Sequence, residues 1–214
     1  MSDASAMANL LLSLKAVSVS PRKPFTWASG LRSPIYCDNR LIISTVVERR
    51  MVIDAFSRLI EAEDWHPDLI AGTATAGIPH AAWLAEKLAL PMVYVRGAEK
   101  KHGKGNRIEG LSPEGRRTVL IEDLISTGGS SVSAAQALRE AGARVTGVAA
   151  IFQYGLEKSR VRFAEAALPY ATLTDFETLL TEAVASHLLQ PDEVDIMRQW
   201  RQDPQLWSAN HGGA

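Results

Sequence analysis

The fold of this chain is decided by residues 119–131, VLIEDLISTGGSS. Three apolar residues lead into two adjacent acids, and a run rich in Ser, Thr and Gly follows. This order is typical of a buried strand, then a loop, then the start of a helix. In parallel α/β sheets ligands bind at the carboxyl ends of the strands. We therefore expect Glu122 and Asp123 to lie at a ligand site.

The loop at residues 126–130, STGGS, is suited to binding an anion. Free backbone N–H groups at a helix start attract negative charge, and glycines allow close approach of a phosphate. The hydroxyl side chains add further donors. Neither GxxxxGK[ST] nor GxGxxG is present. A phosphate beside two acids suggests a phosphorylated sugar, and an acid-rich turn that caps a helix remains the alternative.

The segments around this stretch alternate between predicted strands and predicted helices. Strands are predicted at residues 68–72, 91–95, 116–121 and 144–152, and helices at about 78–88 and 130–141. This alternation predicts a parallel sheet with helices on both faces. Outside it, we predict a helix near 7–14, a hairpin or arm over 25–40, a helix from 46 to about 60, and a mostly helical final stretch with Pro191 at a helix start.

Residues 96–115 interrupt the alternation. They contain several lysines and glycines and almost no apolar residues. Loops this long inside a compact domain are often active-site lids. We therefore expect this segment to be functional.

Composition narrows the class of protein. The chain has 214 residues and a net charge of −1, so we expect one domain and no general attraction to nucleic acid or anionic membranes. Its parts are an N-terminal arm over about 1–45, a core over about 46–170 and a helical tail over about 171–214. The apolar stretch at 7–14 is too short to span a bilayer, and no signal peptide is predicted. The single cysteine, Cys37, is consistent with the expected cytoplasmic location.

Residues 119–131 resemble the phosphoribosyl-pyrophosphate motif of type I phosphoribosyltransferases. Three further segments are similar to orotate phosphoribosyltransferases in particular. They are the N-terminal FTWASGLRSPIYCDNR (25–40), the pyrophosphate-side GTATAGIPHAAWLA (72–85) and the mobile catalytic loop VRGAEKKHGKGNRIEG (95–110). Together they cover most of residues 25–155.

This resemblance implies an α/β protein with the type I phosphoribosyltransferase fold. A central parallel sheet is flanked by helices, with a small N-terminal hood and a helical C-terminal tail. The implied reaction joins orotate to 5-phosphoribosyl 1-pyrophosphate and gives orotidine 5-monophosphate and pyrophosphate. Mg²⁺ is expected to bind mainly through the substrate, without a dedicated protein metal site. The resemblance also implies a homodimer in which the catalytic loop closes over the neighbouring subunit's site.

The resemblance also assigns roles to individual residues. Lys100, His102 and Asp123 are expected to be catalytic: Lys100 and His102 meet the leaving pyrophosphate, and His102 carries a proton to it. Glu122 and Asp123 are expected to bind the ribose hydroxyls, and Ser126 also touches orotate. The full set predicted to bind the phosphoribosyl donor is Arg96, Lys100, His102, Glu122, Asp123, Leu124, Ile125, Ser126, Thr127, Gly128, Gly129 and Ser130.

Some positions depart from the family pattern. Many relatives have lysines at the positions of Ala28, Ala76 and Gly97 and an arginine near Tyr154. Candidates for holding the orotate carboxylate are therefore Arg32, Arg40 and N–H groups of the arm. Trp27 is expected over the base, Tyr154 is expected either to stack or donate at the site or to pack in the core, and the other tryptophans are expected to pack.

Two alternatives to an orotate enzyme remain on the same fold. A purine phosphoribosyltransferase is disfavoured by the S-G-x-x-S-P pattern of the arm. A nucleotide-sensing regulatory protein is disfavoured by the cationic loop, because a sensor has no use for a mobile catalytic lid.

Overall fold

The computed structural model describes residues 2–27, 29–97 and 107–213. Its largest sheet has six strands in the order β10-β9-β8-β5-β6-β7. The strands are β1 Val17–Val19, β2 Phe25–Thr26, β3 Arg32–Ser33, β4 Ile35–Cys37, β5 Leu69–Thr73, β6 Met92–Val95, β7 Ile108–Glu109, β8 Arg117–Ile125, β9 Arg144–Gln153 and β10 Tyr170–Asp175. Every pairing in this sheet is parallel except that of the edge strand β7, which is antiparallel to β6. The predicted α/β class is confirmed, with one antiparallel edge strand.

Eight α-helices accompany the strands in the described part of the chain. They are α1 Asp3–Ser13, α2 Val46–Ala62, α3 Gly77–Leu88, α4 Gly129–Glu140, α5 Glu157–Glu165, α6 Phe176–Ala185, α7 Val194–Gln202 and α8 Pro204–Asn210. Short 3-10 helices cover Asn39–Ser44 and Pro191–Glu193, so Pro191 does begin a helical segment. None of the helices described is both long enough and apolar enough to cross a bilayer.

Helices cover both faces of the sheet, and each face has its own buried cluster. Ile121 packs in a cluster with Phe56 of α2 and Leu84 of α3. The preceding residue, Leu120, packs on the opposite face with Leu138 of α4. This division follows because successive side chains of a strand point to opposite faces. The long apolar runs of the central strands are therefore buried on both sides.

The chain order of the strands locates a crevice between β5 and β8. From β5 the chain winds outward through β6, and from β8 it winds the other way through β9 and β10. Ligands in open α/β sheets bind at such a point, beyond the carboxyl ends of the strands. The start of α3 lies directly against the backbone of β8 at this crevice, since a Cβ on Gly77 would collide with the carbonyl oxygen of Ile121. Only glycine fits there.

The N-terminal arm forms two small antiparallel ribbons. Strand β2 pairs with β3, as the hairpin prediction required, and β1 pairs with β4. The C-terminal helices hold this arm: the Arg32 N–H donates to Ser208 Oγ at 2.9 Å. The Trp200 ring of α7 lies 6.0 Å from the Trp27 ring, centroid to centroid.

The structure corrects four local predictions. Strand β8 continues to Ile125, four residues beyond its predicted end, so the two acids lie within the strand. Tyr170–Asp175 is a strand paired with β9, although the tail was predicted to be helical from about 171. Helix α5 was not predicted at all. The segment 96–115 was predicted to lack regular structure, yet it contains β7.

Candidate active site

The acid pair lies near the end of β8, with its two carboxyl groups in different surroundings. Glu122 is only 4% exposed, whereas Asp123 is half-buried. The Glu122 carboxylate accepts hydrogen bonds from Ser131 Oγ at 3.2 Å, from Ser130 Oγ at 3.3 Å and from its neighbour's backbone N–H at 3.1 Å. Glu122 therefore supports the first turn of α4, and Asp123 is the more accessible acid.

The electrostatics of this pair are unfavourable in the protein alone. Burial raises the pKa of Glu122, and the adjacent Asp123 raises it further. Burial likewise raises the pKa of Asp123. Hydroxyl donors or a cation at this edge of the sheet would favour the ionised forms. The pair therefore matches a ligand that brings either group.

The loop after β8 presents unused hydrogen-bond donors. Gly128 has a φ of 75° and directly precedes α4, a left-handed conformation that suits glycine. The backbone N–H groups of Thr127, Gly128, Gly129 and Ser130 find no acceptor among the residues that the structure describes. Such N–H groups at the start of a helix form an anion site. The alternative of a turn whose amides are used internally is not supported.

The residues predicted to bind the donor at positions 122–130 run from the end of β8 into the first turn of α4. Leu124 and Ile125 are the last residues of β8, and the Ile125 carbonyl accepts the Tyr154 N–H at 3.2 Å. The hydroxyl of Ser130 points to Glu122, so its backbone is the part free for an anion. Ser126 and Thr127 are half-buried beside the arm.

Sequence reasoning missed Asn39, which connects the arm to the acid pair. Its Nδ2 group donates to the backbone carbonyl of Asp123 at 2.7 Å. The side chain is 1% exposed, and its Oδ1 atom finds no hydrogen-bond partner in the described ranges. The sequence carries no local signal for this contact, because the burial of Asn39 is set by packing against a strand 84 residues away in the chain.

The loop Thr73–Gly77 forms the other wall of the crevice. The Ala74 N–H donates to the Val95 carbonyl at 2.9 Å, and the peptide bond between Ala74 and Thr75 is cis. Thr73 Oγ1 is buried and has no hydrogen-bond partner within the described parts of the chain. Helix α3 starts here, without a side-chain cap on its first N–H groups. This loop thus offers donors across from the phosphate loop.

Of the predicted catalytic loop, only the ends are described. The Arg96 N–H donates to the Arg107 carbonyl at 2.8 Å, and Arg107 Nη1 donates to Ser133 Oγ of α4 at 3.0 Å. The base of the predicted catalytic loop is therefore attached to α4, the helix that follows the loop at 126–130. Lys100 and His102 lie outside the described residues, as does Ala28.

The arm's arginines are already engaged. Arg40 forms a two-pronged ion pair with Asp38, with distances of 2.6 and 2.8 Å, and this contact raises its pKa and lowers that of Asp38. The Nη1 group of Arg32 donates to Thr26 Oγ1 at 3.0 Å. Backbone N–H groups of the arm therefore remain the less committed candidates for the orotate carboxylate.

Tyr154 belongs to a buried aromatic cluster. It is 2% exposed, and the Trp27 ring stacks on it with centroids 5.9 Å apart. The Trp200 ring meets it edge-on at 5.3 Å. Of the roles predicted for Tyr154, packing in the core is the one that this geometry supports. Trp27 joins this cluster from the arm and stays half-buried.

No group of three or more metal-ligating side chains occurs in the described ranges. The hard oxygen donors at the crevice are the carboxylates of Glu122 and Asp123, whose mutual repulsion a divalent cation would reduce. This donor set fits Mg²⁺ that is held largely by oxygens of a substrate.

Comparisons with known proteins agree with this geometry. The model of the phosphoribosyl transferase domain matches residues 47–172. An orotate phosphoribosyltransferase of Bacillus caldolyticus is 54% identical over 199 residues, which is 93% of this chain and 96% of that protein. The crystal structure of orotate phosphoribosyltransferase from Aeropyrum pernix superposes with a TM-score of 0.73 at 27% identity, covering 82% of this chain and 97% of the other. The structure of the UMP synthase of Leishmania donovani superposes with a TM-score of 0.76 at 25% identity, covering 92% of this chain and 42% of the synthase chain.

Proposed function

Because this chain belongs to the orotate phosphoribosyltransferase family, we propose that it transfers the 5-phosphoribosyl group from 5-phosphoribosyl 1-pyrophosphate to orotate. The products are orotidine 5-monophosphate and pyrophosphate, as required for de novo pyrimidine (UMP) biosynthesis. One observation carries the proposal: four consecutive backbone N–H groups, at residues 127–130, have no acceptor among the described residues and lie beside an acid pair at the carboxyl end of β8. This arrangement matches the 5-phosphate of the donor and the ribose hydroxyls next to it.

Different residues of the chain bind different parts of the donor. The loop at 126–130 binds the 5-phosphate through its N–H groups and hydroxyls. Asp123, the more accessible acid, accepts hydrogen bonds from the ribose hydroxyls, while Glu122 braces the loop through Ser131 and contributes charge. Asp123 also stabilises the positive charge that grows on the sugar ring as the pyrophosphate departs.

The leaving pyrophosphate requires cations and a water-free site. We assign Arg96, Lys100 and His102 to this task, with His102 as the proton carrier because an imidazole titrates near neutral pH. Closure of the loop at 95–110 would exclude water, which otherwise hydrolyses the donor. The attachment of Arg107 to Ser133 supports this role, since it places the base of the segment against α4.

Mg²⁺ is proposed as the cofactor. Asp123 and Glu122 would face it, and most of its ligands would come from the donor's oxygens and water. When bound, it neutralises charge on the pyrophosphate. Orotate would lie between the arm and Ser126, with its carboxylate held by arm N–H groups.

A homodimer is proposed, in which the loop at 95–110 serves the neighbouring subunit's site. Support comes from exposed apolar side chains in two neighbouring segments. Val47 is 66% exposed, and Met51 lies one helical turn further along α2, with Leu41 exposed in the preceding 3-10 helix. Exposed apolar residues that cluster often mark protein interfaces. We also propose a cytoplasmic location, with which the single free cysteine, Cys37, is consistent.

The test is a direct assay of base specificity. The protein is incubated with orotate, 5-phosphoribosyl 1-pyrophosphate and Mg²⁺, and the loss of orotate absorbance is followed. Adenine, hypoxanthine and uracil are run in parallel. Consumption of orotate alone supports the proposal, whereas consumption of a purine base instead of orotate would overturn it.

A further inference from the structure

Helix α5 packs directly behind the phosphate loop. Arg162 Nη1 donates to the carbonyl oxygen and to the Oγ1 atom of Thr127, both at 3.0 Å. A Cβ added to Gly129 would lie 3.0 Å from the same Nη1 atom, and one added to Gly128 would lie 3.0 Å from the ring of Phe163. Two consecutive residues of α5 thus contact three consecutive residues of the loop.

The hold on the Thr127 carbonyl orients a donor of the loop. The C=O and N–H groups of a trans peptide point in opposite directions. By fixing the Thr127 carbonyl on the side of α5, Arg162 directs the Gly128 N–H to the opposite side, away from α5. That N–H is among those with no acceptor in the described residues.

The second bond orients a hydroxyl. Thr127 Oγ1 accepts from the guanidinium, so the hydroxyl's own hydrogen remains available to another acceptor. A threonine side chain has few χ1 rotamers, and a bond to a charged donor is stronger than one between neutral groups. The hydroxyl is therefore presented in one direction before any ligand arrives.

We propose that Arg162 is a positioning residue for the 5-phosphate of the phosphoribosyl donor. Arg162 fixes the carbonyl and the hydroxyl of Thr127 from behind the loop. Its positive charge adds to the attraction for the phosphate. Arg162 lies outside the motif at 119–131 and contacts the loop only because α5 folds back onto it. This inference rests on the proposed function.

The test uses Arg162→Gln, with Arg160→Gln as the matched control. Arg160 is on the same helix but pairs with Glu157 at the surface. Binding of ribose 5-phosphate, inorganic pyrophosphate and orotate is measured by calorimetry, together with the KM for the phosphoribosyl donor. Arg162→Gln should weaken ribose 5-phosphate and raise the donor KM by roughly 10-fold or more, the effect of losing charge-assisted hydrogen bonds. Pyrophosphate and orotate binding should be unchanged, and Arg160→Gln should change nothing.

A double-mutant cycle with Thr127→Val tests the proposed route. If Arg162 acts partly through the Thr127 hydroxyl, Arg162→Gln should weaken ribose 5-phosphate less in the Thr127→Val background, where only the contact with the Thr127 carbonyl is left to lose. Arg162→Lys, which keeps the charge and N–H donors but not the planar guanidinium, should restore part of the affinity and serves if the glutamine variant does not fold. Equal losses for all ligands, or an unchanged affinity for ribose 5-phosphate in either variant, would overturn the proposal. These outcomes are read against a wild-type protein that converts orotate, and a wild-type protein that does not would instead reject the proposed function.

Discussion

Asp123 has a backbone that is fixed by the arm and a side chain that faces the candidate site. Its backbone carbonyl is tied to Asn39 of the arm, while its carboxyl group lies half-buried beside Glu122, where burial raises the pKa of both acids. Groups whose ionisation is made unfavourable by the fold are often functional, because the stability they cost is recovered only when a ligand binds. Asp123 is therefore expected to matter for activity more than for stability.

Asp123→Asn should reduce turnover by roughly 10²-fold or more, since it removes charge that stabilises the transition state. The melting temperature should stay the same or rise, because the substitution removes the repulsion on Glu122. Initial rates and thermal unfolding measured on the same preparation check both parts. A large fall in melting temperature would instead identify Asp123 as a structural acid.

The buried His80 should make the folded protein less stable at acid pH. The residue is fully buried in α3, its two ring nitrogens have no partner among the described residues, and burial lowers the pKa to about 4 from 6.5. The unfolded chain therefore binds a proton between these values while the folded chain does not, so stability falls as the pH drops through that range. The loss approaches about 3 kcal/mol at pH 4.

Denaturant unfolding at pH 7 and pH 4.5 measures this loss. His80→Leu, which cannot titrate, should show a smaller difference between the two pH values than the wild type. Equal differences in the two proteins would show that other groups cause the acid sensitivity.

At the residue scale, the sequence was most informative where chemistry is local. The acids and the Ser, Thr and Gly residues of 119–131 pointed to the candidate anion site because their proposed roles depend on neighbours in the chain. Asn39 and Arg162 could not be identified in this way. Each is placed by tertiary packing, across 84 and 35 residues of sequence respectively.

At the scale of elements, strands and helices were predicted well where periodicity was strong. Helices α3 and α4 and strands β5, β6 and β9 lie close to their predicted bounds, whereas β8 runs four residues beyond its predicted end. Helix α5 was missed because it carries only two large apolar residues, Val161 and Phe163, and therefore shows no helical stripe. Strand β10 was missed because its short Thr-rich sequence is a strand only by virtue of its pairing with β9.

The catalytic loop gives a prediction at this scale. Lys100→Ala should slow turnover by roughly 10²–10³-fold with only a modest change in affinity for the donor, because the lysine meets charge that develops in the transition state. Lys104→Ala, in the same segment, is the control and should stay near the wild-type rate. Single-turnover kinetics with near-normal rates for Lys100→Ala would reject its assigned role.

A second prediction concerns the contact between the C-terminal helices and the arm, where Trp200 of α7 packs against Trp27. Trp200→Leu should raise the KM for orotate by roughly 10-fold or more, because a displaced arm no longer orients the base, with a smaller effect on the donor KM. Trp65→Leu is the matched control: Trp65 packs against Gly147, in β9, and should cost about 2–4 kcal/mol of stability without changing either KM. Equal changes in both KM values for Trp200→Leu would indicate general loosening of the fold.

At the scale of the whole molecule, the proposed homodimer would complete each site with the partner's loop. Dimers purified by two different tags, one subunit carrying Lys100→Ala and the other Asp123→Asn, should contain one intact site each. Their activity should be about half that of the wild type, far above either parent variant, because one subunit then supplies an intact loop to the other's intact acid. Mixed dimers as inactive as their parents would show that the loop acts within its own subunit.

The function proposed here requires the loop after β8 to bind the 5-phosphate of the donor. A crystal structure of the protein with ribose 5-phosphate shows whether it does. We predict phosphate oxygens at about 3 Å from the N–H groups of residues 127–130, with the ribose hydroxyls turned toward Asp123. A phosphate bound elsewhere, with those N–H groups left without an acceptor, would show that this loop is not the phosphate site.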